Sequence, residues 1–353
     1  MIPYYLLLGI PMLLSLFKYG DNKKKFNKKF PMLVFFIILI VMLSLRSDLC
    51  GVDLQTYRYK YNAQGFVSIK SLFDISEIEP GYSLFVNINK FLVGDFQFLL
   101  FSCAIISLVP VMALYLKESN HSILTIALFV GVAPFTMFFS GLKQSIAMGL
   151  GIICYYFCKN NKILPFLLFV YIAYMFHQSA VILLLMYPLT HVKITKKWIP
   201  PTIALYLTCL FYNKQIFGVL LKLNKNYEAD YVISETGSYV FLVLLLLFTI
   251  FSVVVMKEDS NELIGLRNLL ILSLFIQCFA PINTVAMRLN YYYLLFIPVL
   301  IPKIIDNCKD RYKQIVRFVE VIFILFFIFW FFNEAYTGTN YLRTFPYVAF
   351  WEG

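Results

Sequence analysis

Long apolar runs separated by short polar segments dominate the chain, and their lengths predict helices. The runs fall at 3–17, 32–45, 96–116, 122–139, 141–158, 163–176, 178–190, 198–213, 238–256, 264–281, 286–303 and 314–333. Runs of about 14 to 22 apolar residues suit a hydrocarbon core of about 30 Å. No stretch shows the strand alternation of a membrane barrel. The pattern predicts an all-α polytopic membrane protein of about twelve transmembrane helices, with residues 1–353 forming a single integral membrane domain. The stretch 163–190 is long enough for one helix; a break at His177 is expected instead, which sends the chain back across. Two polar segments interrupt the apolar series: an outer loop, 46–95, and an outer carboxy-terminal tail, 334–353. Within the first, 81–93 carries Asn87, Asn89 and Lys90 and is expected to be a re-entrant or interfacial helix.

Composition sharpens this picture. The chain is 61% hydrophobic and 14% charged, and a mean hydropathy of +0.77 excludes an ordinary soluble domain. A net charge of +11 could suggest nucleic acid, but no reader module is present, and no nucleic-acid partner is expected. The lysines set topology instead. Lys18, Lys23, Lys24, Lys25, Lys28 and Lys29 follow the first run, which places that loop inside and the amino terminus outside. The opening Met-Ile-Pro-Tyr-Tyr has no basic region before its apolar run, which argues against a cleaved signal peptide. Seven cysteines are scattered, mostly within apolar runs. Cys154 and Cys158 share a helix face without His or carboxylate beside them, so neither a metal nor another cofactor is expected.

Charges that neither set topology nor face the inside are the candidates for chemistry. Three helices are expected to start on the outer side with a basic residue in or near the first turn: at Lys143-Gln144, at His177 and at Arg288. Cations are disfavoured there by the macrodipole, whereas a bound anion is favoured. Arg46 ends an apolar run on the same side and offers a planar fork to a phosphate, or else pairs locally with Asp48 or Asp53. In a helix starting near Asp53, Tyr57 and Tyr61 share its face and could bind sugar rings. Glu79 precedes Pro80, a good first helical residue. It either starts that helix or, with its pKa raised by shelter from water, serves as a base. Arg343 and Tyr347 lie in the outer tail, to close over a site or rest at the interface.

These residues carry a resemblance. R-S-D-L-C-G-V-D-L-Q-T-Y (46–57), E-P-G-Y (79–82), L-K-Q-S-I-A (142–147), F-H-Q-S-A (176–180) and the Arg288/Tyr292 pair are similar, in order and topology, to the EpsG-like branch of Wzy-type polysaccharide polymerases. The likeness covers most of the chain, through short motifs. Where that family usually has Arg-Gln, this chain has Lys143-Gln144, which keeps the charge and loses the fork. The resemblance implies a metal-independent glycosyltransferase of GT-C-like fold in the bacterial cytoplasmic membrane, multi-pass, with its site facing the periplasm or outside. It would move a growing glycan, of the O-antigen kind, from undecaprenyl pyrophosphate to a second lipid-linked repeat unit. Donor and acceptor lipids, the bilayer and, optionally, a chain-length regulator protein are its expected partners. The implied roles are pyrophosphate binding by Arg46, Lys143, Arg288 and Arg343, glycan binding by Tyr57, Tyr61, Gln144 and Tyr292, and catalysis by Asp53 or Glu79 first and His177 second.

Two other functions compete. A polysaccharide flippase or secondary transporter would need inverted repeats or helices broken at mid-membrane, and no internal repeat is visible. A membrane acyltransferase acting on polysaccharide would lean on His177 as its base.

Overall fold

The computed structural model describes residues 1–16, 28–63, 79–193, 196–223, 239–257, 260–337 and 342–352. The stretch 64–78, most of the basic loop after the first run, and 224–238 lie outside them. The described chain folds into helices α1 (Ile2–Leu16), α2 (Phe30–Leu45), α3 (Leu54–Ala63), α4 (Pro80–Leu92), α5 (Phe96–Glu118), α6 (Ser122–Gly131), α7 (Met137–Ser140), α8 (Leu142–Lys159) and α9 (Ile163–Phe176). A 3-10 segment, Gln178–Leu185, runs into α10 (Met186–His191). Then follow α11 (Ile199–Phe211), α12 (Asn213–Leu223), α13 (Tyr239–Val255), α14 (Asn261–Gln277), α15 (Thr284–Leu294), α16 (Ile297–Asp306) and α17 (Lys313–Thr337).

Among the described residues, two helices are long and apolar enough to cross a membrane: α5 and the segment Asp310–Thr337 that contains α17. The pair α15 and α16, bent by 44°, makes a third if counted as one span, and six further apolar helices have 10–17 residues. The expected twelve crossings are therefore not matched one for one. The run 122–139 breaks after Gly131, and Pro134, which has no N–H to donate, sits in the gap before α7. The run 286–303 bends between Leu294 and Ile297, where Pro298 opens α16.

The break at His177 is present. His177 is extended, with φ −155° and ψ 121°, and the chain doubles back along α9. Phe166 meets Tyr187 at 5.3 Å between ring centroids, and His191 Nε2 reaches Asn161 Oδ1 at 2.5 Å. The return leg is 3-10 before it becomes α-helical.

Local chemistry sets several helix starts. Asp95 accepts from the Gln97 amide at 3.3 Å, Ser260 from that of Leu263 at 3.1 Å, and Asn283 from that of Val285 at 2.8 Å. Each satisfies an amide that the helix leaves open. The core is aromatic: Phe36, Tyr115, Phe129, Phe135 and Phe138 are buried. The tail is not a free flap. Phe350 N–H donates to the Leu45 carbonyl at 2.9 Å, and Ser47 N–H to that of Val348 at 2.8 Å. The Tyr4 hydroxyl donates to the Thr344 carbonyl.

Candidate functional site

Helix α8 carries Lys143 in its first turn and Lys159 in its last, and these mark the two ends of the bundle. At the Lys143 end lies a cavity of ≈ 340 Å³. One wall is a single face of α3 and its lead-in: Asp53, Thr56, Tyr57, Lys60 and Tyr61, spaced at i, i+3, i+4, i+7 and i+8. The facing wall is Tyr82, Ser83 and Val86 of α4, and Lys143 and Arg288 complete the lining.

Glycines set the approach of these walls. Gly51 has φ +127°, and a Cβ there would stand 2.2 Å from the Phe139 carbonyl oxygen. That contact seats the start of α3 on α7, where the Ser140 hydroxyl donates to Asp53 Oδ2 at 3.0 Å. The Asp53 amide in turn donates to Ser140 Oγ at 3.3 Å. Gly81 lets the first turn of α4 press on Met175, whose backbone carbon and oxygen would each lie 3.0 Å from an added Cβ. The residue after Met175 and Phe176 is His177, so this contact brings Glu79 beside the end of α9.

Glu79 sits at that junction with a left-handed backbone, φ +71°. It starts α4 without a side-chain cap, because its carboxylate is engaged elsewhere. Oε2 lies 2.7 Å from Lys143 Nζ, and Oε1 lies 3.1 Å from His177 Nδ1. Burial alone raises the carboxyl's pKa, but His177 and Lys143 together outweigh it and hold Glu79 below the usual carboxylate range. The expectation that shelter would raise it is corrected: Lys143 and His177, each beside one carboxylate oxygen, oppose desolvation. Lys143 Nζ also lies 5.1 Å from the Tyr82 ring centroid, a cation–π contact. Tyr82 and Tyr57 meet edge to face at 5.7 Å. Burial, with Asp53 and Glu79 nearby, pushes the Tyr57 phenol upward, so it stays neutral and able to donate.

The structure brings together Asp53, Tyr57, Tyr61, Lys143 and Arg288 in the cavity wall, with Glu79 and His177 directly behind Lys143. Four expected residues stand apart from that wall. Arg46 is 1% exposed. Its guanidinium donates to the Leu43 carbonyl and, at 3.5 Å, to that of Phe138. The Arg46 backbone bridges to Ala349. Its two terminal nitrogens thus close the end of α2 and hold α7, and Arg46 stands outside the cavity that its assignment to a phosphate would require. Gln144 is 1% exposed, and its amide donates to the Arg288 carbonyl at 2.6 Å. Tyr292, equally buried, shares a hydrogen bond of 2.9 Å with Ser179. Both tie α15 to its neighbours beneath the cavity rather than facing a glycan. Arg343 is exposed and outside the lining.

Lys60, Tyr82 and Ser83 were missed by sequence reasoning. Lys60 could have been found, since it continues the face that Asp53 and Tyr57 begin. Tyr82 and Ser83 could not, because only the tertiary placement of α4 aims them. Among the described residues, no group of three His, Cys, Asp or Glu side chains could hold a metal ion. Chemically, the cavity offers three cations and one carboxylate among tyrosines, which suits an anionic group joined to hydroxylated rings.

A family model, described as the EpsG family, matches residues 29–349. No curated protein and no solved structure matches the chain, so the GT-C likeness gains no support from known folds.

Proposed function

Because the chain belongs to the EpsG family, a family of Wzy-like polymerase-type membrane proteins, we propose that it is a polysaccharide polymerase working at the Lys143-end cavity. It moves a glycan from undecaprenyl pyrophosphate to the end sugar of another lipid-linked repeat unit. Asp53 takes the proton of the acceptor hydroxyl, whose oxygen bonds to the donor's anomeric carbon. The bond from that carbon to the pyrophosphate breaks, and the pyrophosphate leaves with the electron pair. Lys143, Arg288 and Lys60 stabilise that charge as it develops. Tyr57, Tyr61 and Tyr82 supply ring faces for the sugars. Glu79 is a positioning residue that holds Lys143 and His177.

The observation that carries this reading is the placing in one small cavity of Asp53, a carboxylate without an ion pair among the described residues, with three cations. The distribution of basic residues supports an outward-facing site. Lys117, Lys159, Lys257, Lys303 and Lys309 gather at the other end of the bundle, as cytoplasmic ends do. Purified protein given lipid-linked repeat units, with no nucleotide sugar, should produce a ladder of longer glycans. Arg288→Ala should shorten the ladder to single units with the protein still folded, because Arg288 is exposed and only its backbone is held by Gln144. An unchanged ladder in both Arg288→Ala and Lys143→Ala would end the assignment.

A further inference from the structure

Helices α5 and α8 touch at Gly149, where an added Cβ would stand 2.6 Å from the Ile106 carbonyl oxygen and 2.8 Å from Ser107 Cα. Beyond that crossing, toward the Lys159 end, the two helices are separated by a cleft of ≈ 340 Å³. Pro110 lies inside α5 at the start of the cleft, where it cannot donate to the carbonyl four residues back and crowds the preceding turn. The walls are apolar along their length: Pro110, Ala113 and Leu114 face Ile152 and Ile153. The far end is polar, lined by Lys117, Glu118, Tyr156, Lys159 and Asn160. Lys117 Nζ lies 5.7 Å from the Tyr156 ring centroid, and Lys29 Nζ donates to the Lys117 carbonyl at 3.3 Å. Ala113, Lys117 and Tyr156 are exposed, so the cleft opens sideways.

The charges at this end are not equivalent. Lys159 is taken up by Glu118 at 2.9 Å and Glu262 at 2.8 Å, and Lys303 pairs with the same two carboxylates. Lys117 has no carboxylate within ion-pair distance among the described residues; its ammonium has only the Tyr156 face. With Glu118 already engaged by Lys159 and Lys303, an apolar slot whose polar end holds one ammonium without a carboxylate partner among the described residues matches a molecule with an apolar chain and an anionic head.

We infer that this cleft holds an anionic phospholipid of the bilayer. One acyl chain lies between α5 and α8, and the phosphate meets Lys117, with Tyr156 at the glycerol level. Tyrosine favours that depth, and basic pockets between membrane helices take anionic headgroups. The site stands on geometry alone and does not rest on the polymerase reading.

The test uses the full-length protein in nanodiscs of equal phosphatidylglycerol and phosphatidylcholine, moved into detergent, with retained lipid quantified by mass spectrometry. Wild type should retain phosphatidylglycerol over phosphatidylcholine by roughly fivefold, the scale of one lysine at a charged membrane surface. Lys117→Glu should bring the ratio to parity. Ala113→Phe, which fills the slot without touching charge, should lower the retention of both lipids. Equal retention in the wild type, or a preference that survives both substitutions, overturns the site. So does retention of a polyprenyl phosphate in place of phosphatidylglycerol when both are offered. Should Lys117→Glu fail to fold, the wild-type and Ala113→Phe arms decide.

Discussion

The two ends of α8 carry similar numbers of charged side chains and use them in opposite ways. At the Lys159 end, Glu118 and Glu262 each face both Lys159 and Lys303, with 2.9, 2.8 and 2.5 Å for the contacts of Lys159 to each carboxylate and of Lys303 to Glu262. Within this four-residue network two negatives meet two positives and every partner is protein; Lys117 stands outside it. At the Lys143 end, Lys60, Lys143 and Arg288 line one cavity with Asp53 as the carboxylate in its wall. Glu79 offsets only Lys143, from behind. A balanced network has little left to attract a ligand, whereas an unbalanced one beside a cavity favours an anion. Charge count does not separate the two ends. What separates them is whether the protein has already supplied the counter-charge.

That contrast is broken most sharply by one substitution at each end. Asp53→Asn keeps an oxygen for the Ser140 hydroxyl but removes the base, so glycan transfer should fall by roughly 100- to 10,000-fold with little change in unfolding temperature. Ladder length per unit time, beside a thermal melt in detergent, gives both readings. Transfer at the wild-type rate would move the base away from Asp53. Glu118→Gln should do the reverse. It strands Lys159 and Lys303 with half their counter-charge, in a place where the carboxylate side chain is 9% exposed. Breaking a buried pair commonly costs about 3–5 kcal/mol, so the melt should shift strongly downward while the folded fraction keeps polymerising. A Glu118→Gln protein that is stable and inactive would erase the distinction between the ends.

The sequence showed the ends unequally. Helix positions α1, α2, α5, α8 and α9 follow from apolar run length, and α4 is expected from its amphipathic segment. The face that begins at Asp53 could be read by counting in threes and fours. Arg46 could not, because an arginine at the end of an apolar run looks the same whether it meets a ligand or, as here, the carbonyls of Leu43 and Phe138. Glu79 was legible as important, but the direction of its pKa shift was not. Its pKa depends on Lys143 and His177, which are far away in sequence and adjacent only after Gly81 docks on Met175. Short helices were the weakest point, since Pro134 and Pro298 interrupt runs whose composition stays apolar.

Gly81→Ala probes that docking at smaller cost. The new methyl meets backbone at 3.0 Å, which cannot swing aside as a side chain can. An overpacked contact costs about 1–3 kcal/mol, and here it also pushes Glu79 away from His177 and Lys143. Transfer should drop more than stability does, measured again by ladder and melt. Gly9→Ala is the control, since nothing lies within 4 Å of its added methyl. Equal effects of the two on transfer would show that the position of α4 does not matter to the site.

The smallest expected effect concerns the opposite end and depends on pH. His121, in the turn between α5 and α6, has Nδ1 2.6 Å from Glu320 Oε1 and Nε2 2.8 Å from Asp306 Oδ1. The Glu320 hydrogen bond, opposed by burial and aided by Asp306, raises its pKa from 6.5 to about 9. A folded-state value above the unfolded one means that folding favours the protonated ring. The stabilisation is complete below the unfolded pKa of 6.5, declines as pH rises, and is gone above about 9. In a partly exposed cluster the gain is about 1 kcal/mol. Melts of the wild type between pH 6 and pH 9.5 should fall relative to those of His121→Gln, and the two curves should meet at the alkaline end. Parallel curves across that window would mean that folding leaves the proton affinity of His121 unchanged, and that Glu320 and Asp306 do not act on the ring.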